Sequence, residues 1–318
     1  MITVYAFTGE ALSIGLLSPD RPLREDVVWI DMLNPSEAEQ RLVETTIKLD
    51  LPTREEMGEI EVSSRLYTKN GALFMTASLA VGSDTDDPSL EPVTFILTEH
   101  RLVTVRHADP APFRTFSATA QRSGASLNNG GAILAGLLDA AVDRIADLLE
   151  GVQADIHGLS RAILSKDKTD FDVALRKIGL IQAQTSQLRE SLVSVGRLLM
   201  FLSRPGEYAP GKMLARSLKT IQHDVTSLSN HSSFLTSNIN FLLDATLGMV
   251  NIEQTGIIKI FSVAAVVLMP PTLVASIYGM NYRHMPELEW TYGYPVALAI
   301  MVLAAALPYL FFKMKGWL

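Results

Sequence analysis

Apolar residues change their spacing twice along this chain, and the changes divide it into three regimes. Over residues 1–128 they come in short runs: 2–7 alternates, while 27–30, 73–79, 93–98 and 102–105 read as strands, the last two joined by a tight turn at 99–101. Asn34-Pro35-Ser36-Glu37 begins a helix with a cap-like start, and Leu51-Pro52-Thr53-Arg54-Glu55-Glu56 begins another. The pattern predicts an α/β domain over 1–128. A Ser-, Gly- and Asn-rich linker at 123–131 closes it, and beyond that point the β pattern stops. Residues 132–165 and 170–203 carry apolar positions at helical spacing, broken at 165–169 and again by Arg204-Pro205-Gly206 with Pro210-Gly211. A helical hairpin over 129–211 is expected.

The third regime starts at Lys212. From there to Leu247 the chain has neither Gly nor Pro, and nothing before Asn281 reads as a firm stop. One helix of about 70 residues would run ~105 Å. Its first part, a stalk over 212–259, is polar on much of its surface (Gln222, Asp224, Ser227, Asn230, Ser233, Ser237, Asn240), so it must pack in a bundle, either on the hairpin or on copies of itself. Two charge-free runs of 23 residues follow, 260–282 and 290–312. At ~1.5 Å per residue each spans roughly 34 Å, enough to cross a bilayer. The seven-residue connector, 283–289, is too short for a domain, so both ends of the pair share one side. Lys259 precedes the first run and Lys313 and Lys315 lie in the tail 313–318, whereas the connector sets Arg283 against Glu287 and Glu289. The positive-inside rule then places the connector outside and both termini in the cytoplasm. Tyr282, Trp290, Tyr292 and Tyr294 near one interface, with Tyr309 and Trp317 near the other, fit aromatic belts. Pro270-Pro271 inside the first run would ordinarily kink it, but such breaks are tolerated where neighbours or a water-filled pore satisfy the freed carbonyls.

Composition narrows the chemistry. The 318 residues are 48% apolar and 19% charged, with a formal net charge of −7 and no cysteine. Disulfides, thiolate zinc sites, iron–sulfur clusters and cysteine nucleophiles are excluded, so any metal must use oxygen or imidazole ligands. The acidic balance and the lack of a basic stripe argue against nucleic acid as a partner. The histidines at 100, 107, 157, 223, 231 and 284 show no His-x₃-His pair, and neither a phosphate loop nor a nucleophile elbow occurs. Nothing points to an enzyme. Met1 leads straight into the alternating stretch without a signal-peptide pattern, so a cytosolic N-terminus is expected.

The outer end of the first run carries Tyr278-Gly279-Met280-Asn281, and the connector carries Met285-Pro286-Glu287-Leu288. This resembles the CorA family of magnesium channels, whose hallmark is a Gly-Met-Asn tripeptide and an MPEL loop between two C-terminal helices. The likeness extends through 258–261, 269–275 and 309–318, about 70 residues in all; before 240 it is one of architecture. The resemblance implies a homopentameric funnel in the inner membrane, with the first membrane helix lining the pore and the second outside it. It implies inward passage of Mg²⁺, and also Co²⁺ and Ni²⁺, with a filter at Gly279, Met280 and Asn281 and an outer loop of Met285, Pro286, Glu287, Leu288 and Glu289. No organic cofactor is implied. Binding the ion through its waters fits first principles, because Mg²⁺ dehydrates reluctantly and neutral amide oxygens can accept hydrogen bonds from its hydration shell. Glu287 and Glu289 would raise the local cation concentration through their field.

Stepping back from Asn281 at helical spacing gives Gly279, Ser276, Thr272, Met269, Ala265, Phe261 or Ser262, Ile258, Thr255, Asn251, Gly248 and Asp244. This stripe is polar outside, apolar midway and polar again at the neck, as a dewetting gate requires. Candidate ligands for a regulatory Mg²⁺ are Asp84, Asp86, Asp87 and Glu91 before a strand, with Asp224 and Glu253 on the stalk. Two other functions are to be weighed: a proton-coupled zinc transporter of the ZntB type, against which the intact MPEL loop counts, and a two-span membrane-anchored sensor, which needs no polar stripe.

Overall fold

A computed structural model describes the chain except at residues 8–11, 17–23, 83–88, 121–126, 166–169, 205–210, 282, 284, 287, 288 and 318. It divides into two compact units, Met1–Leu242 and Leu243–Leu318. The first unit opens with β1 (Ile2–Phe7), β2 (Leu12–Leu16) and β3 (Val27–Leu33), then α1 (Glu37–Ile47), α2 (Arg54–Gly58) and α3 (Val62–Arg65). Next come β4 (Leu66–Lys69), β5 (Ala72–Val81), β6 (Ser89–Leu97), β7 (Leu102–Arg106) and α4 (Ala111–Ala120). The strands form one sheet in the order β2-β1-β3-β7-β6-β5-β4. Among the described strands β3 and β7 alone pair in parallel, with Trp29 opposite Leu102 and Asp31 opposite Thr104. The starts of α1 and α2 are full capping boxes, Ser36 with Glu39 and Thr53 with Glu56, which satisfy otherwise orphaned N–H groups. The strands of the sequence reading are present and longer than expected, and β2, β4, α3 and α4 are additional.

The parallel pair carries a buried polar chain. Trp29 Nε1 donates to Thr104 Oγ1 at 3.0 Å, and that hydroxyl donates to Asp31 Oδ1 at 2.7 Å. Arg106 grips the same carboxylate through Nε at 3.1 Å and Nη2 at 2.8 Å, and its Nη1 reaches Asp109 at 2.6 Å. Tyr5 stacks on Trp29 with centroids 4.1 Å apart, and Phe113 of α4 lies under the Arg106 guanidinium at 4.6 Å. Every charge here has a partner, which is what lets it sit in a core.

Two long helices follow, α5 (Gly130–Leu164) and α6 (Phe171–Leu202), packed on each other and on the sheet. Gly130 starts α5 against the β6–β7 turn, where a Cβ would lie 2.3 Å from the Arg101 carbonyl carbon, so no other residue fits without moving backbone. On β6, Pro92 stands opposite Ser78 of β5 and has no N–H to give. Two α6 hydroxyls serve the Ser78 backbone: Ser191 donates to its carbonyl and Ser194 accepts from its N–H, both at 2.9 Å. The last element of the first unit is the start of α7 (Lys212–Tyr278). Its buried residues Leu218, Ile221, Val225, Ser232, Leu235, Ile239 and Leu242, with half-buried Leu228, recur at steps of three and four, a seam that coiled-coil-like packing uses. Val225 Cγ1 stands 3.3 Å from where a Cβ of Gly196 on α6 would be. Of the two packing choices left open for the stalk, its apolar seam takes the chain's own hairpin.

Candidate pore helix and outer loop

The second unit holds the remainder of α7 and α8 (Gly293–Met314). Both helices are long and apolar enough to cross a membrane, with mean hydropathies of 2.1 and 2.2 in their most apolar windows. Pro270 and Pro271 lie inside α7, which continues through them. Neither supplies the N–H that would close on the carbonyls of Val266 and Val267. The hydroxyls of Thr255 and Thr272 donate back to the carbonyls of Asn251 and Leu268, at 2.7 and 2.8 Å. Their donors are used within the helix, and their oxygen lone pairs remain free to accept.

Asp244, Asn251, Thr255, Ile258, Phe261, Met269, Thr272 and Ser276 all lie on α7 and all are exposed in the single chain. The apolar members are the ones whose exposure needs an explanation: Ile258 is 64% exposed, Phe261 71% and Met269 68%. Water alone would leave this surface at a cost of roughly 25 cal/mol per Å², so lipid or further copies of the chain must cover it. Beyond Tyr278 the helix stops. Gly279 N–H still reaches Ala275 O at 2.9 Å and Met280 N–H reaches Ile277 O at 3.2 Å, after which Asn281 is exposed and outside the helix. At Gly279 a Cβ would sit 3.1 Å from Ala275 O, so the small residue allows this closing turn. Met285 is half-buried, Pro286 and Glu289 are exposed, and Glu287 and Leu288 fall outside the described residues.

The acidic candidates divide. Asp84, Asp86 and Asp87 fall outside the described residues. Glu91 lies on β6, where its charge opposes the lowering of the His107 pKa by burial and by Arg54. Asp224 and Glu253 lie on α7. Among the described residues of one chain, no group of three His, Asp or Glu is placed to hold a metal. Sequence reading passed over the partners of Asp224: desolvation first, then the charges of Asp143 and Asp224, push the Asp139 carboxyl above its ordinary range. The signal was available as Asp139, Asp143 and Asp147, four residues apart on α5.

Residues 24–314 match the family model described as "CorA-like Mg2+ transporter protein". The chain is 36% identical over 292 residues to the magnesium transport protein CorA of Yersinia pseudotuberculosis, covering 92% of each chain. It is 34% identical over 319 residues to that of Escherichia coli K12, covering 100% of both. Its fold is that of the CorA magnesium transporter from Methanocaldococcus jannaschii, at a TM-score of 0.79 and 17% identity over 100% of this chain and 99% of that one. A family model spanning nearly the whole chain and relatives matched end to end lead to one conclusion: this chain belongs to the CorA family of Mg²⁺ transporters.

Proposed function

We propose that α7 lines a path for hydrated Mg²⁺, and also for Co²⁺ and Ni²⁺, across the inner membrane, in a homopentamer whose Asn281 amides form the outer filter. The observation that carries this reading is the exposed stripe of α7, apolar at Ile258, Phe261 and Met269, polar on either side, and closed by Gly279-Met280-Asn281. Among the described residues one chain offers two helices long and apolar enough to span, so a lined path needs several copies. Amide oxygens accept hydrogen bonds from the ion's water shell without stripping it, and the apolar middle closes by dewetting. The outer carboxylates, Glu287 and Glu289, act on the ion through a field that salt screens. Both termini are then cytoplasmic. Mg²⁺ at acidic residues such as Asp84, Asp86, Asp87, Glu91, Asp224 and Glu253 would hold neighbouring subunits closed and so limit uptake. The zinc reading of the same fold has less support, because the relatives at 34–36% identity are magnesium transport proteins.

The test is uptake into liposomes containing the purified protein, with Mg²⁺, Co²⁺, Ni²⁺ and Zn²⁺ compared with and without a pH gradient. Uptake of Mg²⁺ independent of the gradient is expected. Asn281→Ala should abolish it while the oligomer stays intact by size-exclusion chromatography with light scattering. Unimpaired Mg²⁺ flux through a correctly assembled Asn281→Ala protein would remove the filter assignment, and Zn²⁺ uptake that requires the gradient would favour the zinc reading.

A further inference from the structure

We propose that the C-terminal end of α8, together with Lys259 of α7, is a binding site for the headgroup of an anionic phospholipid. The inference rests on the reading that α8 crosses a bilayer. The end of α8 is built rather than trailing. Gly316 takes a left-handed conformation at φ +68°, its N–H reaches Lys313 O at 3.2 Å, and Trp317 N–H reaches Phe312 O at 3.0 Å. That pair of bonds, with an apolar contact between the same two ends, is the Schellman stop. The contact here is the Trp317 indole stacked on Phe312, with centroids 5.5 Å apart and planes 21° from parallel. The stop turns the chain so that Trp317 lies beside α7, where Lys259 Nζ sits 6.0 Å from the indole centroid.

One ammonium, Lys259, therefore stands against a half-exposed indole, and two more lysines, Lys313 and Lys315, lie four and two residues before it at the end of α8. Among the described residues none of the three makes an ion pair. The carboxylate preceding Lys259 is Glu253, six residues earlier on the helix and so ~9 Å along its axis. Each ammonium carries three donors, and the α8 C-terminus can take only part of that supply through its carbonyls. The opposite end of α8 differs in kind, with Tyr292 and Tyr294 beside a connector in which Arg283 is outnumbered by Glu287 and Glu289. An indole prefers the headgroup boundary, and a phosphodiester there would meet lysines with unspent donors. Near an anionic surface each lysine contributes roughly a five-fold preference.

Trp317 reports on its own site. In a Trp290→Phe background the remaining indoles are Trp29, fully buried in the sheet, and Trp317. This protein is reconstituted in phosphatidylcholine vesicles with a minority of phosphatidylglycerol, bromine being carried on the acyl chains of one lipid or the other. Brominated phosphatidylglycerol should quench Trp317 at least about five-fold more per mole than brominated phosphatidylcholine. The combined Lys259→Gln, Lys313→Gln, Lys315→Gln variant should lose that preference, and the corresponding triple arginine variant should keep it. Equal quenching by the two lipids, or an unchanged preference in the glutamine variant, overturns the proposal while leaving the spanning assignment intact. Absence of quenching by either lipid overturns both. Should the glutamine variant fail to assemble, salt decides: the preference must fall as ionic strength rises, and a salt-insensitive preference overturns the site.

Discussion

The units Met1–Leu242 and Leu243–Leu318 treat the same kinds of side chain in opposite ways. In the first, Trp29, Phe74, Phe95, Ile30 and Met32 are fully buried, and even the charges of Asp31 and Arg106 are paired inside the core. In the second, Ile258, Phe261, Met269 and Leu303 stand exposed, and among the described residues Val263 and Ala297 are the hydrophobic ones that become buried. A water-soluble core removes apolar surface within its own chain, whereas a membrane unit leaves that surface for lipid and for other subunits. The comparison separates what stabilises this transporter from what does its work. Long-range contacts close the first unit on itself, whereas the second keeps an exposed apolar stripe on α7.

The largest expected effect strikes the first unit. Arg106→Met removes the cation that neutralises buried Asp31 and leaves Asp109 with Arg114 alone. Losing one partner of a buried pair costs about 3–5 kcal/mol. Urea unfolding of the full-length protein in detergent, followed through Trp29, should show this loss; a change below about 1 kcal/mol would mean that the network is not a stabilising core. The next prediction sets two exposed leucines against each other. Leu303 in the middle of α8 is 58% exposed and Leu180 on α6 is 68% exposed. Leu303→Asp should oppose membrane insertion by about 2.5–3.5 kcal/mol, whereas Leu180→Asp should cost within about 1 kcal/mol. Membrane-fraction yield and melting temperature measure the pair, and similar penalties at the two sites would erase the distinction between the units.

The smallest effect concerns pH. Asp139 binds its proton more tightly in the folded chain than in the unfolded one, because desolvation and then Asp143 and Asp224 disfavour its charge. Its contribution to stability is therefore complete below the ordinary aspartate value of 3.8 and is lost as pH rises through the raised folded value. Asp139→Asn should stabilise the protein slightly at pH 7, within about 0.5 kcal/mol given its exposed position, and should leave it unchanged in acid. Thermal unfolding at both pH values checks the sign. A destabilised variant at pH 7 would show that the Asp139 charge is satisfied by a group that the single chain does not contain, such as a cation or a neighbouring subunit.

Much of this molecule was legible in one dimension. The 3.6-residue period drew α5 and α6, the lack of a firm stop drew α7, and the apolar runs drew the two spanning candidates, because a helix hydrogen-bonds within itself and advertises its buried face at short range. The tripeptide Gly279-Met280-Asn281 and the loop that follows are likewise local enough to read, and they carry the resemblance to the family. What only the tertiary structure decided depends on partners far away in the chain. The edge strands β2 and β4 are short, and α4 is a ten-residue helix with only Phe113 and Phe116 as large apolar residues to signal it. The bond from Trp29 to Thr104 spans 75 residues, and the service of Ser78 by Ser191 and Ser194 spans 113 and 116. Lys259 and Trp317 meet only because a glycine turn returns the chain after α8. Periodicity reports which face of an element is buried; it carries no information about what lies against that face, since the same apolar stripe can meet a sheet, a helix, a lipid or another copy of itself.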